Sequence, residues 1–552
     1  RKRATGAAAA PAGPAVDVSK CGCIVVAGGG IGGAAVAVAL QRKGFEVVVL
    51  EADSGFDARK QGYGLTIQGQ DATQAMGINL AQDDAPSTSH YTFNAEGHIL
   101  GFYGEAFGSK SKDRQECKNS GRFIHIPRQM LRSRILDEVR PGTIRWSSKL
   151  KSYACWSDDE GGRRSQNGVT VTLMDGTTLD AALLIGSDGI FSTVRRQLNL
   201  PGDRLNYVGL VVVLGIVEGV TIPLTERRIF ETVDGTTRIY AMPFTTSSTM
   251  WQLSFPYTEE AARSLCKDPT ALKSEILRRC AKWHEPIPEL LRSTPLDGMA
   301  GYPVYDREVL QPDVLRPGSS AAATGAAAAS TPAAQRRVTL IGDAAHPMTP
   351  FKAQGANQAL SDAVLLADTL VESIQRHGPH AGLDAALPLF EQTMLSRSVR
   401  VVVGSREKAK EMHSSLALQP SRKVQRGGEA GVDMQHVIRT LRAKGVGAHC
   451  ATTPRGLDAV VAEAIELCDA SAPAHATPTE SAPVSIPASA PVSVSEGSLL
   501  SARAMGLSAS RQLVRAPAES RKRRGEADSA AGREVKKSRG QGALLDGCGD
   551  GE

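Results

Sequence analysis

Val338-Thr-Leu-Ile-Gly-Asp343-Ala-Ala-His346-Pro-Met-Thr-Pro-Phe-Lys-Ala353-Gln-Gly355-Ala-Asn357-Gln-Ala-Leu-Ser-Asp362 decides how this chain of 552 residues is read. The apolar start predicts a buried strand. Asp343 closes a turn, a proline-containing loop follows, and Gly355 opens a helix. A carboxylate at the carboxyl end of a strand can accept hydrogen bonds from sugar hydroxyls. Gly355, Ala356 and Asn357 offer the unbonded N–H groups and positive dipole end of a helix start. Together they predict a site for a sugar-linked ring that gains negative charge.

A second segment near the amino end has the same logic. Cys21-Gly-Cys-Ile-Val-Val-Ala-Gly28-Gly-Gly30-Ile-Gly-Gly33-Ala reads as strand, turn and helix, and Val47-Val-Val-Leu50 as the next strand. Gly28 and Gly30 allow a pyrophosphate close to the backbone, and Gly33 allows the helix to pack against the strand. Glu51 follows Gly28 by 23 residues, at the strand end where an acid binds an adenosine ribose. The spacing alone is common. With strand, helix and acid in place it predicts dinucleotide binding.

A third strand–turn–helix runs Ala182-Leu-Leu-Ile-Gly186-Ser-Asp188-Gly189-Ile-Phe-Ser192-Thr-Val-Arg195. Ser187, Asp188 and Ser192 are candidate helix caps, so this turn has a purely structural reading as well. The order G-x-G-x-x-G, D-G, G-D-A-A-H resembles the class A flavoprotein monooxygenases, which share the p-hydroxybenzoate hydroxylase fold and include zeaxanthin epoxidase, salicylate hydroxylase and tetracycline-inactivating types. The resemblance spans roughly Cys21 to Ser405. It implies one FAD, reduced by NAD(P)H, which reacts with O2 to give a flavin C4a-hydroperoxide that hydroxylates or epoxidises a small organic substrate, aromatic or polyene-like. It also implies that Gly28, Gly30, Gly33 and Glu51 hold the ADP half and Asp343 the ribityl side, with Gly355, Ala356 and Asn357 under the ring. Asp188 and Gly189 then belong to a motif serving both FAD and the reducing nucleotide. Arg128, in Ile126-Pro-Arg128-Gln-Met-Leu131, matches the family arginine that touches FAD. Arg59-Lys-Gln-Gly62-Tyr-Gly-Leu-Thr-Ile67 matches the loop near the mobile flavin. Ala353 stands where the family usually has glycine, and Ser187 where alanine is common.

The fold class expected is α/β: a Rossmann-like FAD-binding domain interleaved with a β-sheet substrate domain, then C-terminal helices and a disordered tail. Residues 1–20, Ala/Pro/Gly-rich with no acid before Asp17 and starting at Arg1, read as a disordered segment: a fragment's start, a processed end or part of a transit peptide. Residues 21–202 form the first part of the FAD domain, with substrate-side loops near 63–115. Residues 203–318 are the β-rich substrate domain, with strands over Gly209–Val220, Arg228–Thr232, Thr237–Pro243 and Thr249–Phe255. Residues 319–335 are a low-complexity insertion, and 336–413 complete the FAD domain with helices over 356–377 and 384–413. No Phe, Trp or Tyr follows Phe390. The packed core is therefore expected to end soon after 413, with a partly helical extension over 414–470 and a disordered tail over 471–552.

Composition narrows the partners. The net charge is +6, from 64 Lys+Arg against 58 Asp+Glu, too even for nucleic acid as the main partner. The longest clean apolar run, Leu210–Val217, is too short to span a bilayer, which takes about 20 residues. Nine cysteines without a C-x-x-C pair exclude a recognisable metal or disulfide framework and fit a reducing, cytoplasmic setting. The basic clusters Arg521–Arg524 and Lys536–Arg539 could form a nuclear signal, but the tail from 471 nets only +2, from 11 basic and 9 acidic residues.

No Ser–His–Asp or Cys–His constellation stands out, because a flavin carries this chemistry and the protein shields, positions and stabilises charge. No catalytic side chain is therefore assigned. His346 reads as a structural hydrogen-bond partner rather than a general base. Tyr240, Met242, Phe244, Met250, Trp251 and Phe255 are candidate pocket walls, of which alternation sends about half away. The alternatives are a flavin reductase or oxidase of the same fold and a non-catalytic binding protein. A flavin halogenase is disfavoured, since the four Trp stand apart at 146, 156, 251 and 283.

Overall fold

The computed structural model describes residues 17–58, 63–85, 87, 89–104, 123–157, 167–219, 222–226, 228–245, 247–316, 337–419 and 434–470. Five short parallel strands form the nucleotide-side sheet, in the order Val338–Leu340, Leu183–Gly186, Ile24–Ala27, Val47–Leu50, Ile144–Arg145. Ile24–Ala27 and Leu183–Gly186 are buried along their whole length, as a parallel sheet covered on both faces requires. Helix Ile31–Arg42 covers it with small residues; Ala34, Ala35, Val36 and Ala37 are fully buried. Small side chains let this helix lie close to Gly355–His377, its packing partner. The strands that carry the three sequence motifs are therefore neighbours, and their carboxyl ends open on the same side.

The second sheet has seven strands, in the order Met299–Arg307, Leu205–Glu218, Ser248–Pro256, Arg238–Pro243, Arg228–Val233, Ser89–Asn94, Ile99–Gly104. All neighbours are antiparallel except Arg228–Val233 with Ser89–Asn94. The last two strands come from far upstream and were not read from the sequence. A ribbon of Gly64–Gln68 and Phe123–Pro127 is a further two-stranded sheet.

Alternation splits the seven-stranded sheet. Trp251, Leu253, Phe255, Ala241, Phe230 and Phe93 belong to one large core. Ile229, Met242 and Met250 form a separate small cluster on the opposite face, joined by Tyr63, Ile216, Tyr240 and Phe244. Of the six candidate wall residues, Tyr240, Met242, Phe244 and Met250 thus share one face, while Trp251 and Phe255 point away.

Two expectations about chain ends differ from the structure. The core does not stop near 413. Val437, Ile438 and Leu441 of Met434–Ala443, and Leu457 and Val461 of Leu457–Ala470, are fully buried against the back of the seven-stranded sheet. Aliphatic residues at helical spacing make this core, so the lack of aromatics misled. Asp458 fixes the junction, accepting from Tyr91 Oη at 2.6 Å, Ser89 Oγ at 3.1 Å and Arg228 Nε at 3.0 Å. At the other end Val18–Cys21 is a 3₁₀ turn capped by Asp17, with Val18 and Cys21 buried. The loop 59–62, the insertion 319–335 and the tail 471–552 lie outside the described residues. No helix among the described residues is long and apolar enough to cross a membrane.

Candidate active site

The first turn is built by contact. Gly28 has φ +98°, where side chains are strained, and a Cβ would come within 2.6 Å of the Ser187 carbonyl oxygen. A Cβ on Gly33 would collide with the Gly28 carbonyl oxygen. Gly30 differs, because nothing lies within 4 Å of its would-be Cβ. Gly30 also caps Ile31–Arg42 with no side-chain hydrogen bond, so that helix presents its first N–H groups to open space. This geometry fits a pyrophosphate. Glu51 stands beneath the turn, its carboxylate accepting from Gly29 N at 2.8 Å and Asp53 N at 3.0 Å.

The D-G turn is differently committed. Asp188 accepts from Ser192 Oγ, from Thr193 N at 2.6 Å and from Val194 N at 3.2 Å, so its carboxylate caps the helix Thr193–Leu198. Burial still raises its carboxyl above the usual range, with those hydrogen bonds opposing the shift. Gly189 follows at φ +77° with open space at its Cβ position.

The third turn opens into a cleft. Asp343 is exposed yet lies deep within the protein's volume. Burial raises its carboxyl, while the charges of Arg128 and His346 draw it back. Helix Gly355–His377 starts beside it without a side-chain cap, and a Cβ on Gly355 would lie 3.7 Å from Asp343 Oδ1. Asn357 is pinned across the cleft, donating to the Thr66 carbonyl at 2.9 Å and accepting from Gln68 N at 2.8 Å. Ala356 is half-buried one residue earlier. Arg128, the first residue of Arg128–Leu136, lies 5.6 Å over the Tyr63 ring. Ala353 holds φ +52°, the left-handed conformation that glycine adopts freely.

Across the cleft stand partly accessible side chains of the seven-stranded sheet, Tyr302, Tyr240 and His90. Burial pushes the Tyr240 hydroxyl up to about 12 and the Tyr302 hydroxyl well up, so both stay protonated donors. Burial lowers His90 to about 3 and His125 to about 4, so both are neutral near pH 7. His125 bridges Thr66 Oγ1 at 3.1 Å and Ser87 Oγ at 2.7 Å. A deep but accessible carboxylate, two uncapped helix starts and an open glycine turn on one side of a parallel sheet fit FAD. No group of side chains among the described residues could hold a metal.

Sequence reasoning passed over three residues that organise this site. Arg132 donates to the Gly29 carbonyl at 3.0 Å and lies 3.6 Å from Glu51. Its only signal was its place one turn after Arg128. Asp362, fully buried, accepts from Gly342 N at 2.9 Å and His346 Nε2 at 2.7 Å, and pairs with Arg397. His346 is thereby a buried strut under the Asp343 turn. Arg195 donates to the Ala344 and Ala345 carbonyls at 3.0 and 2.7 Å and pairs with Asp203, tying the second and third motifs together.

Residues 22–281 and 313–388 match the family model described as FAD binding domain. The chain is 29% identical over 386 residues to aurachin C monooxygenase/isomerase of Stigmatella aurantiaca, covering 69% of this chain and 87% of that protein. It is 27% identical over 395 residues to chloroplastic zeaxanthin epoxidase of Nicotiana plumbaginifolia, covering 69% and 53%. In fold it resembles Klebsiella pneumoniae HpxO, whose structure holds FAD and uric acid. The TM-score is 0.57 at 20% identity, over 80% of this chain and 96% of that one. Its parallel sheet, its glycine turns and these matches agree: the chain belongs to the FAD-binding-domain family of class A flavoprotein monooxygenases.

Proposed function

We propose that this protein inserts one oxygen atom into a small aromatic or polyene-like substrate, by hydroxylation or epoxidation, with NAD(P)H as reductant. The observation that supports this most is the cleft in which Asp343, Arg128 and the start of Gly355–His377 stand together beside Tyr302 of the seven-stranded sheet. Bound FAD supplies the redox chemistry: electrons from NAD(P)H activate O2, one oxygen atom going to the substrate and the other to water.

The residues' work is to bind, orient and exclude water. Gly30 and the first N–H groups of Ile31–Arg42 would hold the pyrophosphate, and Glu51, steadied by Arg132, the adenosine side. Asp343 would accept from the ribityl hydroxyls. Backbone N–H groups at Gly355, Ala356 and Asn357 would favour negative charge on the ring through the helix dipole. Asp188 and Gly189 would shape the turn shared with the reducing nucleotide. Tyr240 and Tyr302 would help shield the reacting atoms from water, with Met242 and Met250 packed behind them. The seven described cysteines are free thiols, which supports a reducing compartment such as the cytoplasm.

The test is heavy-isotope O2. The purified yellow protein, given NAD(P)H and a compound that stimulates oxygen uptake, should place the label in its product. Stimulated NAD(P)H oxidation that only ever yields unlabelled product would establish a reductase or oxidase instead.

A further inference from the structure

The loop between the Asp343 turn and the helix Gly355–His377 is gripped from the side by the helix Pro379–Met412. Thr349 Oγ1 donates to the Ser405 carbonyl at 2.9 Å, and Ser405 Oγ donates to the Thr349 carbonyl at 2.6 Å. The two hydroxyl oxygens lie 3.0 Å apart. Both residues are buried, so water cannot replace either bond once it is lost. Ser405 lies well inside Pro379–Met412, where a hydroxyl commonly bonds back to its own helix. Thr393 of the same helix does so, donating to the Leu389 carbonyl at 2.9 Å. Ser405 gives its proton to the loop instead.

The grip continues along one stripe of that helix. Phe351 of the loop packs with Ala409 and Met412, and meets the His413 ring edge-on at 5.2 Å. Residues 405, 409, 412 and 413 follow the i, i+4, i+7, i+8 spacing of a single helix face. On its other side Phe351 lies 5.7 Å from the Arg238 guanidinium, whose Nε donates to Glu231 at 2.7 Å.

The helix is the fixed partner in this contact. Glu391 pairs with Arg316 at 2.8 Å, both buried, and Arg406 pairs with Asp306 at 2.6 Å. Only residues 352–354 separate the held stretch Thr349–Phe351 from Gly355, and among them Ala353 keeps its left-handed φ. A shift of the held stretch therefore passes directly to the helix start. Gly404 makes a contrast beside Ser405. A Cβ there would meet first the Lys352 ammonium, the movable end of a long side chain.

We propose that Ser405 is a positioning residue for the flavin: its exchange of hydrogen bonds with Thr349 sets the loop 349–353 and, through it, the distance of the Gly355 helix start from the ring. The inference rests on the reading of that helix start as part of the FAD site. A helix dipole acts on charge, so a helix start that draws back costs the anionic reduced ring more than the neutral oxidised one. The hydroxyl pair thus works on the balance between the two flavin states as well as on the fold.

Four variants test this: Ser405→Ala, Thr349→Val, which keeps the shape and loses the hydroxyl, Thr349→Ser, which keeps the hydroxyl, and Gly404→Ala. FAD titration of apo-protein, the two-electron flavin potential and Tm are measured for each. Ser405→Ala and Thr349→Val should weaken reduced FAD about tenfold more than oxidised FAD, a potential about 30 mV more negative than wild type. Thr349→Ser and Gly404→Ala should keep the wild-type potential. A wild-type potential in flavin-replete Ser405→Ala or Thr349→Val, with only Tm lowered, overturns the proposal, because the bonds would then serve the fold alone. The same shift in Thr349→Ser or Gly404→Ala also overturns it. If Ser405→Ala does not fold, the isosteric Thr349→Val decides. Failure of the site reading would show separately, in wild-type protein that takes up no FAD.

Discussion

The glycine turn at Gly28–Gly33 and the loop from Asp343 to Gly355, both proposed to hold one cofactor, are built by different physics. In the first, backbone meets backbone, and Gly28 and Gly33 have no room for a Cβ. In the second there is room: Gly355 would place a Cβ in ordinary contact with Asp343, and only charge makes the position sensitive. A glycine in a nucleotide motif is thus not one constraint but two. One is steric and indifferent to the new side chain's chemistry. The other is electrostatic and indifferent to a methyl group.

The largest effect should come from the steric turn. Gly33→Ala should abolish FAD retention and markedly lower Tm, since overpacking alone costs about 1–3 kcal/mol and here the obstacle is rigid backbone. A stable, yellow Gly33→Ala protein would erase the distinction. Next is Asp343→Ala. Loss of a charged acceptor worth about 1.5–3 kcal/mol should weaken FAD binding by about 10- to 150-fold. His346→Ala should weaken it less, because His346 acts only through Asp362. Titrating apo-protein with FAD ranks them, and equal losses would dissolve the ranking.

Acid should separate the two regions. The cleft side carries His90 and His125, whose folded values of about 3 and about 4 lie below the ordinary 6.5. The unfolded chain then binds protons the folded one does not. Their neutral burial is fully tolerated above pH 6.5, and stability falls as pH drops from there towards 4, by up to about 1.4 kcal/mol per pH unit for each. Hydrogen exchange at pH 5 should open Ser89–Asn94 and Phe123–Pro127 before Ile24–Ala27. Uniform opening would count against it.

Gly355→Asp should act mainly through charge. Its carboxylate would face Asp343 and the helix start, an effect of about 0.3–2 kcal/mol at a dipole end. Flavin retained in the variant should be harder to reduce, with a more negative potential and slower anaerobic reduction by NAD(P)H. Gly355→Ala should change neither appreciably. Identical behaviour of the two variants would make this glycine steric after all. The smallest effect belongs to Ala353→Gly. Relief of the left-handed φ is worth about 1–2 kcal/mol, against about 0.5–1 for glycine's extra chain entropy, so Tm should rise by a few degrees at most. A clear loss of stability would show that the Ala353 methyl packs usefully.

What the sequence disclosed follows the range of the interactions. Gly28, Gly33, Asp343 and Gly355 each sit within a single strand–turn–helix, so spacing alone places them there. The helices Gly355–His377 and Pro379–Met412 were legible from apolar periodicity, the second starting five residues earlier than expected. Arg132, Asp362 and Arg195 were not legible, because each acts on backbone brought near only by folding. Ser89–Asn94 escaped because its partner Arg228–Val233 lies more than a hundred residues downstream and pairs in parallel. The face occupied by Met242 rather than Trp251 could not be chosen until a register was known.

The three-way hold of Asp458 on Ser89, Tyr91 and Arg228 gives the helix Leu457–Ala470 a mechanical role. Ser89 and Tyr91 flank His90, whose side chain emerges on the opposite face, towards the cleft. Leu457–Ala470 therefore works like a bracket behind a partition, and the placing of His90 on the front surface is set by a fastening at the rear. Random substitution for altered substrate range should accordingly recover hits in Leu457–Ala470, well away from any atom a substrate could touch.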